Sequence, residues 1–253
     1  MPDVFLGSDE TSVPPLARIH RIDVWIFDLD CPDCELTGLS RLLSSNERAR
    51  FSRFKNPLIA NRWTVAHARL RQIVGSYLEA TPYQDEFVLN FYGKPRIPSS
   101  SIVTPLNFSL SHSGQVGGVA VCVSGEIGLD IETIGNPPWE IEPDVFNDAE
   151  RQQLNSYADA ERRLAFYRGW TRKEAVIKAM GLGLSIPLHD VEVDLGKTQT
   201  RLRRLAGNQN PDWRVVGLEE YECWVGAVAM RTAGAAIDVQ LRDIGSHFGT
   251  QIA

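Results

Sequence analysis

Three short stretches hold the residues most able to do chemistry. In EIGLDIET (126–133) the side chains alternate as on a strand, with Ile127, Leu129 and Ile131 on one face and Gly128, Asp130 and Glu132 on the other. Two carboxylates on one side repel each other unless a cation lies between them. An oxygen-only donor set suits Mg²⁺, which keeps open positions for water and phosphate oxygens. The same D-x-E pattern also fits a solvated strand face. In GWTRKEAVIKAMGLG (169–183), Glu174 and Lys178 stand four apart, a spacing that makes them neighbours on a helix. They could form a surface ion pair, yet Trp170, Ile177 and other apolar residues surround them on most of the circumference. If the helix is buried, Glu174 could be a third metal oxygen and Lys178 could meet a phosphate.

The third stretch is SLSHSG (109–114), where His112 lies between hydroxyls and Gly114 lets the backbone turn. A histidine so placed can donate to an anion, or it can be a satisfied structural residue. Net charge is −6, which argues against bulk nucleic-acid binding. The charge is unevenly spread. Residues 41–75 carry eight Arg or Lys (Arg41, Arg48, Arg50, Arg53, Lys55, Arg62, Arg69 and Arg71) against Glu47 alone, while residues 126–165 carry ten acids against three bases. One segment suits an anion and the other can hold a cation. Lys94 in the YGKP turn adds to the basic side. A carboxylate trio with a lysine, facing a basic wall, suits Mg²⁺-assisted attack on a pyrophosphate. No nucleophile elbow, Walker loop, GxGxxG or HExxH is present.

The elements that must position these residues are legible in outline. RIDVWIFDL (21–29) reads as a strand, and Ser44 with Glu47 forms a capping box opening a helix to about residue 54. A second helix is expected over 58–80, a strand over EFVLNFY, and two strands in NFSLSHSG and VGGVAVCVS around a Ser-Gly turn. After the 126–133 strand come helices near 148–157 and 161–180, the latter closing at Gly181. DVEVDL, TQTRLRRL, WRVVGL and CWVGAVAM supply further strands. The rhythm of strand, helices and strands occurs twice, so the expected fold class is α+β with two similar lobes meeting near 124–127. Cys31 and Cys34 read as a reduced loop pair, and Cys122 and Cys223 as small core residues. No apolar run is long enough to span a bilayer and the N-terminus has no secretory pattern, so no membrane partner and a cytoplasmic location are expected.

Taken in order and spacing, YGKPRIP, NFSLSHSG, IGLDIE and FYRGWTRKEAVIKAMGLGL resemble the 4′-phosphopantetheinyl transferases of the surfactin-synthetase-activating type, over residues 44–195. The resemblance implies a monomeric pseudo-dimer of two α+β lobes, each a small, mostly antiparallel sheet packed with helices, with the active site between them. It implies an N-terminal lobe at 20–125 on the nucleotide side and a C-terminal lobe at 126–243 holding the metal carboxylates and catalytic helix, while the Pro-, Ser- and acid-bearing residues 1–19 read as an arm and 244–253 as a tail, both outside the match. Coenzyme A is the implied co-substrate, with Mg²⁺ on its pyrophosphate and Mn²⁺ as a substitute. The implied partners are apo acyl, polyketide or peptidyl carrier proteins, whose serine would attack the β-phosphate and release 3′,5′-ADP.

Carried onto this sequence, Asp130, Glu132 and Glu174 would hold the metal. Glu174 would also take the serine proton, directly or through water, and Lys178 would stabilise the transferring or departing phosphate. Arg62, Lys94 and His112 would bind the 3′-phosphate and neighbouring groups, with Ser111 near the nucleotide. Glu150 would lie near a metal water, and Lys173 would assist with the phosphates. Where some members grip coenzyme A with lysines on the first N-terminal helix, this chain offers Arg48, Arg50 and Arg53. Two other readings stay open on the residues alone: a Mg²⁺-dependent nucleotide-pyrophosphate hydrolase, and a non-catalytic coenzyme A-binding module.

Overall fold

The computed structural model describes residues 19–98, 105–196, 200–209, 212–221 and 223–244. Strand β1 (Ile19–Asp28) leads into helices α1 (Asp33–Ser40), α2 (Ser45–Phe51) and α3 (Pro57–Tyr77). A short hairpin, β2 (Val88–Leu89) and β3 (Pro95–Arg96), precedes β4 (Asn107–Ser113), β5 (Val116–Cys122) and β6 (Ile127–Thr133). Then come α4 (Glu142–Val145), α5 (Asp148–Asn155) and α6 (Asp159–Met180). Short strands β7 (Val191–Glu192), β8 (Thr200–Arg201), β9 (Arg204–Leu205) and β10 (Asn208–Gln209) follow, and then the long strands β11 (Trp213–Tyr221), β12 (Trp224–Arg231) and β13 (Ala236–Asp243). The mixture of helices with mostly antiparallel sheets is α+β, as expected. Among the described residues no helix is long and apolar enough to cross a membrane.

Two four-stranded sheets, ordered β13-β1-β5-β4 and β6-β12-β11-β8, form the middle of the molecule. Strand parity decides which core each side chain enters. Trp25 and Phe27 of β1 with Val119 and Val121 of β5 pack toward α3, in a core that includes Trp63, Leu70 and Val74. Ile22 and Val24, with Ala120 and Cys122, turn the other way and meet Ile127, Leu129 and Ile131 of β6 and Val228 and Met230 of β12. Val225, Ala227 and Ala229 then point away from that central core toward α6, where Ala175, Val176 and Ala179 cover them. The layers therefore run α3, sheet, sheet, α6. Strands covered on both faces read as continuous apolar runs, and all seven residues of β5 are buried.

The capping box forms as expected: the Ser44 hydroxyl accepts the Glu47 amide, and the Glu47 carboxylate accepts the Ser44 amide. Gly181 ends α6 in the left-handed conformation, at φ 65°. Several expectations need correction. EFVLNFY gives only the two-residue β2, because its residues lead directly into a turn at Phe91–Gly93. Cys223 is exposed in the turn between β11 and β12 and is not a core residue, whereas Cys122 is buried. Helix α1 begins two residues after Cys31. The last strand departs from a simple division at residue 125. β13 pairs in parallel with β1 in the first sheet, where it covers an edge that would otherwise be left unpaired. The expected arm and tail lie outside the described residues, except for Ile19 and Ile244.

Candidate active site

The site is built where α6 lies against β6. Gly128 has no side chain, and a Cβ there would stand 2.0 Å from the Ala175 carbonyl oxygen and 2.4 Å from the Ala179 amide. The helix backbone thus rests directly on the strand. Asp130, two residues along on the same face, comes within reach of α6. Lys178 donates to Asp130 Oδ1 at 2.6 Å and to Ser111 Oγ at 3.1 Å. The helical i, i+4 pair does not form. Lys178 reaches across to the strand, and Glu174 makes no hydrogen bond or ion pair among the described residues.

Three carboxylates share this corner, and each is held above its ordinary range. Burial raises Asp130, which is 3% exposed, against the opposing charge and hydrogen bond of Lys178. Burial likewise raises Glu132, opposed by the Ser113 hydroxyl and reinforced by the Asp130 charge. Glu174 is raised by burial and then by Asp130, with Lys178 lowering it and Glu132 adding to the rise. One ammonium therefore faces three mutually repelling carboxylates. Asp130 Oδ2 is buried without a partner, a costly state for a carboxylate oxygen. Hard oxygen donors, an excess of negative charge and an orphaned oxygen fit a divalent cation. Among the described residues no three His, Cys, Asp or Glu side chains are gathered closely enough to hold one. The ammonium of Lys178 bonds Asp130 Oδ1 and leaves Oδ2 without a partner.

Glu174 and Lys178 open onto a cleft of about 680 Å³, whose other walls come from α2, α3, β4 and the β2–β3 hairpin. On the α3 side stand Trp63, His67 and Arg71. Glu47 binds three of its neighbours at once: Arg71 Nε at 2.5 Å, His67 Nδ1 at 3.1 Å and the Ser44 amide at 2.9 Å. Burial opposes ionisation of Glu47, but these hydrogen bonds outweigh it and hold the carboxyl at about 2. His67 stacks on Trp63 at 4.0 Å between ring centroids. Sequence reasoning missed this cluster. The capping box pointed to Glu47 as a helix cap, and the i, i+4 spacing of His67 and Arg71 on α3 was the only further signal.

Of Arg48 and Arg50 on α2 and Arg53 just beyond its end, Arg50 lines the cleft and lies over the Trp63 ring at 5.8 Å. Arg53 lines a smaller adjoining hollow, and Arg48 donates to the Leu43 carbonyl. His112 shares the face of β4 that carries Phe108 and Leu110. It is exposed and is not among the residues lining the cleft, and its imidazole is held below the usual value by lost solvation and by His67 and Lys178 nearby. Lys94 lines the cleft, but its ammonium donates to Glu126 at 2.8 Å and to the carbonyls of Ile127 and Ala179 at 3.1 Å. Arg62 lies outside the cleft lining and forks onto Asp30 at 2.6 and 2.7 Å.

Two expected site residues lie elsewhere. Lys173, 0% exposed, donates to Glu150 at 2.6 Å and to the carbonyls of Val191 and Leu188 at 2.6 and 3.2 Å. Glu150 also accepts the Val193 amide and the Asn147 amide of its own capping box. Burial pushes Glu150 up and Lys173 down, each opposed by the other's charge. A saturated ammonium with no exposed surface has no face for a phosphate. Together the pair ties α5 and α6 to β7.

Residues 126–229 match the family described as the 4′-phosphopantetheinyl transferase superfamily. The chain is 33% identical over 217 residues to the 4′-phosphopantetheinyl transferase HetI of Nostoc sp., covering 85% of this chain and 89% of that protein. It is 30% identical over 163 residues to the 4′-phosphopantetheinyl transferase gsp of Aneurinibacillus migulanus, with 64% and 66% covered. It is also 30% identical over 155 residues to Sfp of Bacillus subtilis, with 60% and 66% covered. The corner of β6 and α6 that gathers Asp130, Glu174 and Lys178 falls inside the matched segment, and the chain belongs to the Sfp-like 4′-phosphopantetheinyl transferases.

Proposed function

We propose that this cleft transfers the 4′-phosphopantetheine group of coenzyme A to a serine of an apo carrier protein. The serine oxygen forms a bond to the β-phosphorus, the bond from that phosphorus to the bridging oxygen breaks, and 3′,5′-ADP leaves with the bridging oxygen. Asp130 and Glu132 from β6 and Glu174 from α6 are the residues that would hold Mg²⁺. When bound, the ion supplies positive charge to the pyrophosphate. Glu174 is free of other partners among the described residues and takes the serine proton, directly or through water. Its raised proton affinity, first from burial and then from Asp130, suits that task. Lys178 spends two of its three N–H groups on Asp130 and Ser111 and keeps a third of its side chain exposed, so one donor is left for phosphate. Arg50 and His112 supply the basic side for the nucleotide phosphates. Lys94 would join them only by leaving Glu126 and the helix carbonyls.

The reading extends to the architecture as two pseudo-equivalent lobes with the cleft between them. It is supported by strand order, since, with the two-residue strands set aside, β1-β5-β4 and β6-β12-β11 both run first, third, second. The observation that carries the function is that Glu174 and Lys178, the latter bound to Asp130, line a cleft with basic and aromatic walls. The test is to incubate the protein with coenzyme A, Mg²⁺ and a panel of apo carrier proteins and weigh the carriers. A mass gain of one phosphopantetheine is expected. Release of 3′,5′-ADP with no carrier gain would identify a hydrolase instead.

A further inference from the structure

The SLSHSG stretch does more than present His112. Ser109, Ser111 and Ser113 occupy alternate positions of β4 and face β6, the edge strand of the other sheet. Their hydroxyl oxygens accept the amides of Leu129, Ile131 and Thr133 at 3.0, 3.1 and 3.1 Å. The row of hydroxyls thus takes the place of a neighbouring strand for three amides of β6. Two of the three also hold a carboxylate in the same register. Ser111 donates to Asp130 Oδ1 at 3.1 Å, and Ser113 donates to Glu132 Oε2 at 2.6 Å. Opposite Ser109 the corresponding residue is Gly128, which has no side chain to hold.

A hydroxyl has one proton and two acceptor sites. Ser113 accepts the Thr133 amide and gives its proton to Glu132, so the Thr133 hydroxyl, 3.2 Å away, must be the donor in its contact with Ser113. All the bonding capacity of Ser113 is used, and its direction is fixed by the backbone of the strand that carries Glu132. A half-buried glutamate has three side-chain torsions, and this is its one hydrogen bond among the described residues.

We propose that Ser113 is a positioning residue that sets the Glu132 carboxylate for the divalent cation. The proposal rests on the metal reading of the site given above. The test is Mn²⁺ titration with coenzyme A present, with free Mn²⁺ read by electron paramagnetic resonance and thermal unfolding recorded alongside. Losing an outer partner of a ligating carboxylate typically weakens metal affinity by about 10–100-fold, and S113A is expected to fall in that range. S109A removes an equivalent amide acceptor but no carboxylate partner, so it should also lose stability yet keep Mn²⁺ affinity within about twofold of the parent. S113T keeps the oxygen and should restore binding. If S113A loses its fold, S113C carries the same expectation, since a thiol donates only weakly. Equal Mn²⁺ affinity in S113A and S109A, or S113T as weak as S113A, would overturn the proposal. E132Q separates the two levels. Unchanged Mn²⁺ affinity in E132Q defeats the metal reading and this proposal together, whereas weak binding in E132Q with normal binding in S113A defeats the proposal alone.

Discussion

Lys178 binds Asp130 on β6, at 2.6 Å, and leaves Glu174, four residues earlier on its own helix, without an ionic partner. The Asp130 side chain is 5% exposed and that of Lys178 is 33% exposed, so the pair is partly desolvated. Removing either member alone leaves a charge in a site built for two. K178M should destabilise the fold by about 1–3 kcal/mol, D130N should cost less because burial already holds the Asp130 carboxyl above its ordinary range, and the double variant should lose less than the sum. Urea unfolding of the four proteins gives the coupling. A coupling near zero would mean that the ion pair is only a solvated contact. Transfer should fall in all three variants.

Glu174 should be a residue that costs stability. Its proton affinity is raised on folding, first by burial and then by Asp130. For such a carboxyl the folded state binds the proton more tightly than the unfolded state. Its contribution to stability therefore falls as pH rises from the unfolded value, near 4.5, through the higher folded one. E174Q removes the charge and should stabilise the protein at pH 7 by about 0.5–2 kcal/mol. The gain should shrink as pH drops below about 4, where Glu174 is protonated in both states. Loss of a general base typically costs about 10²–10⁴-fold in rate, so the more stable variant should be nearly inactive. Denaturant melts at several pH values, with carrier mass gain as the activity readout, check both halves.

The parts of the site that sequence made legible were those fixed by local periodicity. The alternation of β6 put Asp130 and Glu132 on one face, and Gly181 marked the end of α6. What stayed hidden depends on which distant segments touch. Nothing local says that Lys178 prefers Asp130 to Glu174, because that follows from the helix lying on Gly128. The Glu47–His67–Arg71 cluster joins two helices, and the serine row joins two sheets, so neither has a period of its own. β13 was missed for a similar reason. Its exposed, alternating residues gain their place by covering β1, more than 190 residues earlier in the chain.

Lys173 sits next to Glu174 in sequence, but one residue turns a helix by about 100°, which is enough to aim it away from the cleft. Buried against Glu150, it should matter for folding and not for transfer. K173M leaves the Glu150 charge uncompensated, as E150Q leaves that of Lys173. Each should destabilise by about 3–5 kcal/mol, the usual loss on breaking a buried pair from one side. Activity per folded molecule, measured at low temperature with the folded fraction read by circular dichroism, should stay within a few-fold of the parent. A selective loss of transfer in a fully folded K173M would return the lysine to the phosphate site.

Gly128 should be the most sensitive small residue in the site. Its added methyl would meet the Ala175 carbonyl at 2.0 Å and the Ala179 amide at 2.4 Å, and both are backbone atoms that cannot rotate away. G128A must therefore lift α6 from β6. Overpacking of this kind typically costs about 1–3 kcal/mol, so the fold should survive while the helix shifts. The shift acts where Lys178 reaches Asp130 and where Glu174 faces the strand carboxylates, and a displacement near 1 Å can cost about 10²-fold in rate. The expected result is a cooperative, modestly lowered melt with transfer reduced at least that far. G226A provides the comparison on the neighbouring strand β12. There the nearest backbone atom, the Asp130 carbonyl oxygen, is 3.0 Å away, and the other close atoms belong to the Trp224 and Ile131 side chains. G226A should lose less stability than G128A and keep more activity. Equal loss in both would mean that the contact of α6 with Gly128 has no special part in aligning the site.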